Sequence, residues 1–268
     1  MKFDRTNIAY LTTLLLTGLI GFSCVAQAVE AEQADQPAAQ DDAVERLVQA
    51  MNEDENGLTI NREQGFVDVS GKVCLRQADF LEMLACTPDS REHESLVVLD
   101  AMPSTIHTAL LLLELEPGAP ATWEQQGDGL DFKMNPPRGP EVLVLIRYED
   151  EETGETVEVP ANEWVLNQKT SKTMEGATWV FAGSKIVDYE GRQIYVADSY
   201  GTALSLVNFG DDLLARQVNM TADNANHDMV WGANTEVIPA VGTKVVVRLD
   251  TRSASNNEQD KDGAEQAE

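Results

Sequence analysis

Basic residues are scarce in this chain. Lys and Arg together number 19 against 46 Asp and Glu, so the formal net charge is −27 at pH 7. A surface this negative repels nucleic-acid phosphates and anionic lipid headgroups, and we therefore expect no nucleic-acid partner. Aromatic residues are also few, at 6%, but a hydrophobic share of 43% is ordinary for a globular core.

Several catalytic motifs are missing from the sequence. It contains no Gly-rich phosphate-binding loop, no Gly-x-Ser-x-Gly nucleophile elbow and no His-Glu-x-x-His metal motif. Residues 181–185 have a Gly-Ser-Lys order but lack the first glycine of a P-loop. We interpret them as a turn between strands, so no reaction class is indicated by a motif.

A long apolar run occurs only at the N-terminus. Lys2 and Arg5 precede an uncharged stretch, and Ala26-Gln27-Ala28 places small residues at the two positions that define a cleavage site. This order is typical of a secretory signal peptide over residues 1–28, with cleavage after Ala28. We therefore expect an exported protein of the periplasm or cell envelope, with no transmembrane segment after cleavage.

Two alternatives to cleavage stay open. Cys24 follows Gly21-Phe22-Ser23 and offers a lipidation site, although the leucine usual three residues earlier is missing. An uncleaved stretch of about 20 residues is also long enough to anchor the chain in a bilayer. Either alternative would make the protein a lipoprotein or an N-terminally anchored protein of the envelope.

Composition divides the mature chain into three parts. Residues 29–56 hold nine acids and one base and are predicted to be a mostly disordered acidic spacer, within which Ala43–Met51 can form a short helix. Residues 57–250 hold 14 bases and 31 acids and form the predicted globular domain. Residues 251–268 lack apolar periodicity and are predicted to be a disordered acidic tail.

The globular part has mainly the periodicity of β-structure. Gly65–Val69 alternates as a half-buried strand should, and Ser70-Gly71 is interpreted as a turn into a second strand. Ser95–Ala101 is nearly all apolar, which indicates a central strand covered on both faces. A buried helix is predicted over about 103–115. One main helix among about ten strands favours an α+β fold with a predominantly antiparallel sheet.

An acidic stretch at 149–155 separates two further apolar segments. Residues 142–148 and 156–159 flank it and predict a hairpin with an exposed tip. The tip lacks the spaced ligands and the glycine of an EF-hand loop. A solvated turn is therefore expected there in preference to a calcium site.

A series of short motifs recurs in one known family. In chain order they are Val73-Cys74-Leu75, Cys86, Glu92–Ser95, Pro103–Leu111, Pro117-Gly118, Trp164-Val165, 179–184, 207–209 and 238–243. With these motifs the chain resembles the YdjY domain from about residue 65 to residue 249. The resemblance implies an exported bacterial protein, notably of planctomycete type, and implies the fold, but it carries no established activity.

Some members of that family are labelled ferredoxin-like, a label that requires closely spaced cysteines to hold an iron–sulfur cluster. After removal of residues 1–28 this chain keeps only Cys74 and Cys86. We therefore expect no iron–sulfur cluster within one chain, and we predict no other cofactor.

Cys74 and Cys86 enclose 11 residues. In an exported protein two thiols at this spacing can form a disulfide, which would stabilise the fold by roughly 3 kcal/mol in the chain-entropy model. A turn centred near Ala78 would instead place Cys74 opposite Glu82, so two separate buried thiols are also compatible with the sequence. A catalytic or metal-binding thiol is a third interpretation.

Glu92-His93-Glu94 is the candidate catalytic group. In an extended chain Glu92 and Glu94 point one way and His93 points the other. A histidine flanked by carboxylates can act as a base or as a metal ligand. The same three residues can also be hydrogen-bonded residues at the end of a strand, without a catalytic role.

The other two histidines are interpreted as structural. If the helix that carries His107 folds straight back along the preceding strand, His93 and His107 lie roughly 15 Å apart, too far for one zinc ion. His227 lies in a polar loop, and Asp198 is another polar residue among the strands. No spacing rule joins them into a site.

Three functions are compatible with these features. The leading hypothesis is a non-enzymatic binding or interaction module of the envelope, with an envelope protein or a small ligand as its partner. The first alternative is an exported metal-dependent hydrolase that uses His93 with Glu92 or Glu94. The second is an envelope redox accessory protein that uses Cys74 and Cys86. A His93 side chain in a pocket within hydrogen-bond reach of a second titratable group favours the hydrolase, whereas one that is sealed in packing or fully solvated favours the interaction module.

Overall fold

A computed structural model of the chain describes residues 36–128, 132–176, 178–218 and 230–252, with side chains from residue 41 onward. The predicted cleavage site at Ala28, the lipidation site at Cys24, His227 and the tail beyond residue 252 lie outside these ranges. Contacts divide the chain into two units, Met1–Leu47 and Val48–Glu268. The sheets described below belong to the second unit.

Strands dominate the described residues. They are β1 (Leu58–Asn61), β2 (Phe66–Val73), β3 (Met83–Cys86), β4 (Ser95–Leu99), β5 (Thr122–Gln125), β6 (Phe132–Asn135), β7 (Glu141–Glu149), β8 (Thr156–Pro160), β9 (Val165–Asn167), β10 (Lys172–Thr173), β11 (Thr178–Phe181), β12 (Ile186–Tyr189), β13 (Arg192–Tyr195), β14 (Leu204–Ser205), β15 (Leu214–Ala215), β16 (Trp231–Ala233) and β17 (Lys244–Asp250). The helices are α1 (Gln36–Glu53), α2 (Pro103–Leu112) and α3 (Val196–Tyr200). With 39% strand and 18% helix, the predicted α+β fold with a mostly antiparallel sheet is confirmed.

Eight strands pair in a closed circuit. The order of hydrogen-bonded neighbours is β2-β17-β7-β11-β15-β14-β3-β4, and β4 pairs again with β2. The β14–β15 and β3–β4 pairings are parallel, and the other six are antiparallel. Outside the circuit, β1 pairs with β2 and β8 pairs with β7. Because the pairing returns to its first strand, the circuit itself has no unpaired edge strand.

Alternation along the long strands supplies the core. In β7 the side chains of Val142, Val144 and Ile146 are fully buried while their neighbours are partly exposed, because successive side chains point to opposite faces of a strand. The odd-numbered positions of β17 from 245 to 249 are buried in the same way. Strand β4 is buried at all five positions, as its continuous apolar run predicts, and it lies between β2 and β3.

The predicted turn at Ser70-Gly71 is wrong. Strand β2 runs without a break through both residues, which pair with β17. Gly71 has a packing role here, because an added Cβ would lie 2.6 Å from the Val98 carbonyl oxygen. The glycine therefore allows β4 to approach β2 closely.

Helix α1 is longer than the sequence predicts. It spans Gln36–Glu53, whereas a mostly disordered spacer with a helix over Ala43–Met51 was expected. Its last turns have partners: Val48 is buried, and the Asn52 side chain accepts a hydrogen bond from the Ile60 N–H and donates one to the Ile60 carbonyl. These contacts join the end of the helix to β1.

Helix α2 confirms the predicted buried helix over a slightly shorter range. It begins with Pro103, a residue favoured in the first helical turn because its missing N–H needs no partner there. Asp198 of α3 accepts a hydrogen bond from the Ser104 N–H at 2.8 Å, so this polar residue has a structural role. Within the described part of the chain, no helix is long and apolar enough to cross a membrane.

The acidic hairpin is confirmed between β7 and β8. At its tip, Asp150 Oδ1 accepts hydrogen bonds from the N–H groups of Glu152 and Thr153 and from the Thr153 hydroxyl. This carboxylate closes the turn, as expected of a solvated hairpin tip.

Candidate functional site

Glu92, His93 and Glu94 form a single 3-10 turn and not an extended segment. The Glu92 carboxylate accepts hydrogen bonds from the N–H groups of Asp89, at 2.5 Å, and Ser90, at 2.9 Å. Backbone N–H groups of Glu92 itself, Asp89 and Ser90 lower the pKa of Glu92. Its carboxylate therefore stabilises the loop at residues 87–94.

His93 is solvated. Its side chain is 77% exposed, and its Nε2 lies 3.7 Å from Glu94 Oε2. The other oxygen of Glu94 binds the Arg91 guanidinium at 2.6 Å. The turn does not place His93 and a second titratable group together in a pocket. Among the described residues, no group of three or more His, Cys, Asp and Glu side chains is placed to hold a metal ion.

Arg91 gathers partners that sequence reasoning missed. Its guanidinium binds Glu82 at 3.2 Å and Glu94 at 2.6 Å, and it lies 4.2 Å from the centroid of the Phe209 ring. We term Glu82, Arg91, Glu94 and Phe209 the Arg91 cluster. Glu82 precedes Arg91 by nine residues and Phe209 comes from a distant part of the chain, so no local motif marks the cluster.

The Arg91 cluster is built to hold a proton near neutral pH. Burial and the adjacent Glu94 carboxylate raise the pKa of Glu82 to about 7. The Glu94 carboxylate opposes ionisation of Glu82, because two neighbouring negative charges repel each other. Arg91 supplies one positive charge for both groups.

A buried carboxylate holds Phe209 in place. Asp212 is fully buried and accepts hydrogen bonds from the N–H groups of Phe209 and Gly210 at 3.1 and 3.0 Å. Burial raises the pKa of Asp212 to about 6. This arrangement shapes the loop at residues 208–212, on which the Phe209 ring is presented to Arg91.

Cys74 and Cys86 are neighbouring free thiols in the structure. The Cys74 thiol donates to the Ser95 carbonyl at 3.1 Å, and Cys86 is fully buried. A hydrogen bond between the two thiols raises the pKa of Cys74 and lowers that of Cys86. The pair can therefore lose one proton more easily than two.

Strand β4 runs between the backbones of these cysteines. Cys74 N–H binds the Leu96 carbonyl on one side of β4, and Cys86 is registered with Val98 on the other side. A disulfide between Cys74 and Cys86 would have to cross this strand. Disulfides form only between residues whose Cα atoms lie within about 7 Å of each other. The disulfide therefore stays a prediction, and the structure describes the thiol form.

His107 is half-buried, in line with its structural interpretation. Its Nδ1 lies 2.8 Å from the Tyr195 hydroxyl, which donates to the Gly183 carbonyl, so the imidazole is the donor to the tyrosine oxygen. The ring also contacts Phe181 edge to face. Burial lowers the pKa of His107 and raises that of Tyr195, so both are neutral at pH 7.

A cleft of about 520 Å³ lies beside the acidic hairpin. Tyr148 and Trp164 contribute to its wall, together with Arg76, Glu163 and Glu236. Arg76 is engaged there, because its Nε donates to the Ile238 carbonyl. The predicted site residues Glu92, His93, Glu94, Cys74 and Cys86 do not line this cleft.

Two hairpins expose apolar side chains. β5–β6 and β12–β13 are each a separate two-stranded sheet. On the first, Trp123 is 39% exposed and Phe132 is 55% exposed. On the second, Ile186, Val187 and Tyr189 are 66%, 42% and 57% exposed. We term β5–β6 and β12–β13 the hairpin pair.

The hairpin pair is anchored on one loop, residues 208–212. Trp123 packs so closely on Gly210 that an added Cβ would lie 2.6 Å from its ring. Ser184, which precedes β12, donates through its hydroxyl to the Asp211 carbonyl at 2.6 Å. Sequence analysis missed β5–β6, because the alternation in Thr122–Gln125 is too short to stand out.

Comparison with known proteins gives one match. A family model, the YdjY domain, matches residues 58–250, which is 193 of the 268 residues. No curated protein and no solved structure matches the chain significantly. The matched range contains the whole strand circuit and the hairpin pair. The chain therefore belongs to the YdjY domain family.

Proposed function

We propose that this chain is an exported protein of the bacterial cell envelope, and that its YdjY domain is a non-enzymatic interaction module. The hairpin pair is its contact surface, and an envelope protein is its partner. The observation that carries the proposal is the exposure of large apolar side chains on two sheets of only two strands each.

Physical chemistry supports this use of the hairpin pair. A two-stranded hairpin is marginally stable in water and gains stability when its apolar face is covered. Exposed apolar patches on folded proteins commonly mark contact sites. Three of the four residues of β12 are large apolar residues that are at least 42% exposed. A partner that covers them would bury surface that the fold leaves in water.

Charge does not set the hairpin pair apart from the rest of the domain. Residues 122–135 and 185–195 hold three bases and five acids, a net charge of −2 over 25 residues. The domain over residues 57–250 holds 14 bases and 31 acids, which is a similar density of negative charge. The exposed apolar side chains are therefore the feature that marks this surface, and they suit an apolar protein surface better than a polycation.

The two alternative functions find less support. The hydrolase hypothesis needs His93 to work with Glu92 or Glu94, but His93 is solvated and Glu92 closes a turn. The redox hypothesis needs an accessible thiol pair, but Cys86 is fully buried. The loop at residues 87–94 also contacts both thiols, because Cys74 Sγ lies 3.9 Å from the Glu92 carbonyl oxygen and Ser90 and Arg91 interact with Cys86.

Two phenylalanines with equal exposure provide the test. Phe132 on the hairpin pair and Phe80 elsewhere on the domain are both 55% exposed. We expect Phe132→Ser to reduce the fraction of the chain found in a complex with another envelope protein about tenfold, as for an aromatic hot spot. Phe80→Ser should leave that fraction unchanged. Complexes are measured by native mass after purification from the cell envelope.

Two results would contradict this proposal. Equal behaviour of Phe132→Ser and Phe80→Ser, with the same melting temperature, would contradict the hairpin pair as the contact surface. The denatured mass from the same preparation tests export, because cleavage after Ala28 or a lipid on Cys24 changes the mass by a known amount. A chain that keeps residues 1–28 and is found in the cytoplasm would contradict the envelope location.

A further inference from the structure

The turn of the β12–β13 hairpin fixes which of its backbone groups face outward. Glu190 and Gly191 both have positive φ, 53° and 77°, as the two central residues of a type I′ turn do. Tyr189 and Arg192 flank this turn. In such a hairpin the flanking residues exchange both hydrogen bonds, and bonded pairs then alternate with non-bonded pairs.

This alternation turns the backbone N–H and C=O groups of Tyr189 and Val187 toward β13. The hydrogen bond from Val196 N–H to the Lys185 carbonyl agrees with the same register. Ile186 and Asp188 are the non-bonded positions, so their backbone groups point away from β13. The outer edge of β12 therefore presents two backbone N–H donors and two backbone C=O acceptors, from Ile186 and Asp188.

The outer edge of β12 is open to another strand. It has no strand neighbour among the described residues, and all four of its side chains are exposed. Natural edge strands are usually protected by prolines, bulges or several charges. Here the only charged side chain is Asp188, and it accepts a hydrogen bond from the Gly191 N–H at 3.0 Å.

We infer that β12 pairs antiparallel with β12 of a second copy of this chain, across a twofold axis that passes beside Val187. The inference rests on the proposed function only in treating the hairpin pair as a contact surface. The outward groups of Ile186 bond to those of Asp188 in the second copy, and the reverse pair follows by symmetry. A four-stranded sheet, β13-β12-β12-β13, results.

Side-chain chemistry favours this register. At the axis Val187 faces its own counterpart, so two apolar side chains meet as a close non-bonded pair. Lys185 lies opposite Tyr189 of the second copy and next to its Glu190, so a cation meets an aromatic ring and an opposite charge. Symmetry provides this contact twice.

Other registers are poorer. If Asp188 faced its own counterpart, two carboxylates would lie directly opposite each other, which is destabilising. If Ile186 faced its own counterpart, Asp188 and Tyr189 would extend beyond the partner strand and lose their pairing. The self-complementary register therefore points to a second copy of this chain as the occupant, and not to an unrelated strand.

A cysteine pair tests the register directly. In Val187→Cys the two new thiols lie on directly opposed residues, with Cα atoms about 4.5 Å apart, within the range that a disulfide spans. In Ile186→Cys the two thiols are offset along the strands, with Cα atoms roughly 8–9 Å apart, beyond that range. Ile186 is the more exposed residue, 66% against 42%, so random collision would favour its crosslink.

We expect Val187→Cys to give a disulfide-linked dimer on mild oxidation of the purified protein, and Ile186→Cys to stay at least tenfold less crosslinked. Non-reducing electrophoresis and intact mass measure both. Equal crosslinking of the two variants, or none in Val187→Cys at millimolar concentration, would overturn the inference. The native Cys74 and Cys86 are present in both variants, so they do not bias the comparison.

Charge reversal gives a second readout by sedimentation equilibrium. Lys185→Glu alone and Glu190→Lys alone should each weaken dimerisation at least threefold, and the double variant should recover it. No recovery would contradict the pairing of these residues. This experiment uses the purified chain alone, so its result is separate from the test of the proposed function. If the chain dimerises but Phe132→Ser leaves the envelope complex unchanged, the proposed function is contradicted and the inferred dimer is not.

Discussion

Arg248 and Asp68 face each other directly across the β2–β17 ladder. The guanidinium binds both carboxylate oxygens, Nε to Oδ1 at 2.7 Å and Nη2 to Oδ2 at 2.8 Å. Arg147 of β7 reaches the same carboxylate at 2.9 Å, and Arg248 lies 3.7 Å from the centroid of the Phe66 ring. One acid thus joins three neighbouring strands on the outer face of the circuit.

Replacement of that acid should destabilise the fold. Asp68→Asn leaves two arginines without their bidentate partner, and we expect the free energy of unfolding to fall by about 1–3 kcal/mol, as for charge-assisted hydrogen bonds. Glu158 lies farther from the same arginines, at 3.6 and 4.0 Å, and is more exposed. Glu158→Gln should cost less than about 0.5 kcal/mol. Equal losses in urea denaturation would contradict this ranking.

The Arg91 cluster should make stability fall as the pH rises. Glu82 has a pKa of about 7 in the folded chain against a usual value of 4.5. Between these values the folded chain binds a proton that the unfolded chain has released, so the free energy of unfolding decreases with pH. The stabilisation that comes from protonated Glu82 is fully present below pH 4.5 and is lost as the pH rises through about 7. We expect the melting temperature to drop by several degrees, about 4–8 °C, between pH 5.5 and pH 8.

Glu82→Gln isolates this effect. A glutamine side chain does not titrate, so the melting curve of the variant should lose this part of the pH dependence. Asp212, with a raised pKa, acts in the same direction as Glu82, and His107, with a lowered pKa, acts in the opposite direction. The informative quantity is therefore the difference between wild type and variant at each pH. A difference that stays constant from pH 5.5 to pH 8 would contradict the raised pKa of Glu82.

The two thiols should react slowly in the folded protein. Cys86 is fully buried, and the raised pKa of Cys74 keeps it protonated at pH 8, whereas alkylation requires the thiolate. We expect iodoacetamide to label less than a tenth of either thiol in the time that labels the unfolded chain fully. Mass spectrometry of the native and urea-unfolded protein measures this.

Unfolding without reductant also tests the disulfide. If the chain is unfolded in urea and neither Cys74 nor Cys86 reacts until a reductant is added, the two residues are bonded in the envelope. Rapid labelling of Cys74 in the native protein would instead contradict the raised pKa. The two observations are independent, because one concerns the bonded form and the other the free thiol.

Gly183 should tolerate no side chain. It has a φ of 83°, and an added Cβ would lie 2.5 Å from Pro117 Cβ and 3.4 Å from the His107 ring. Gly154 has a similar φ of 69° but nothing within 4 Å of its added Cβ. We expect Gly154→Ala to cost about 1 kcal/mol from backbone strain. Gly183→Ala should cost at least about 2 kcal/mol more because of overpacking, and similar losses in thermal unfolding would contradict the close approach.

The sequence predicts the fold class well where periodicity is strong. Strand β7, its hairpin with β8 and the buried helix α2 all follow from apolar spacing and from clear stop signals. The turn assigned to Ser70-Gly71 failed, because Gly71 admits a neighbouring strand and the sequence alone does not show that neighbour. The β2–β4 pairing that closes the circuit is a long-range contact, which the local spacing of apolar residues does not reveal.

The candidate site was predicted only in part. The Glu92–Glu94 motif was visible, but its extended conformation was wrong, because backbone N–H groups of Asp89 and Ser90 bind Glu92 and close a 3-10 turn. Glu82, Arg91 and Phe209 had no shared signal, since they converge from three separate segments. The hairpin pair was hardest to predict, because each of its strands is only four residues long and polar in places.

Closure of the strand circuit separates the chain into regions of slow and fast amide hydrogen exchange. A strand such as β17 is bonded along both sides, to β2 and β7, so its amides can open only when two ladders break together. Exchange there should follow global unfolding. In the hairpin pair each strand has one bonded neighbour, so exchange needs only local opening. These readily opened backbone hydrogen bonds lie next to exposed apolar side chains, where a bound partner would slow exchange.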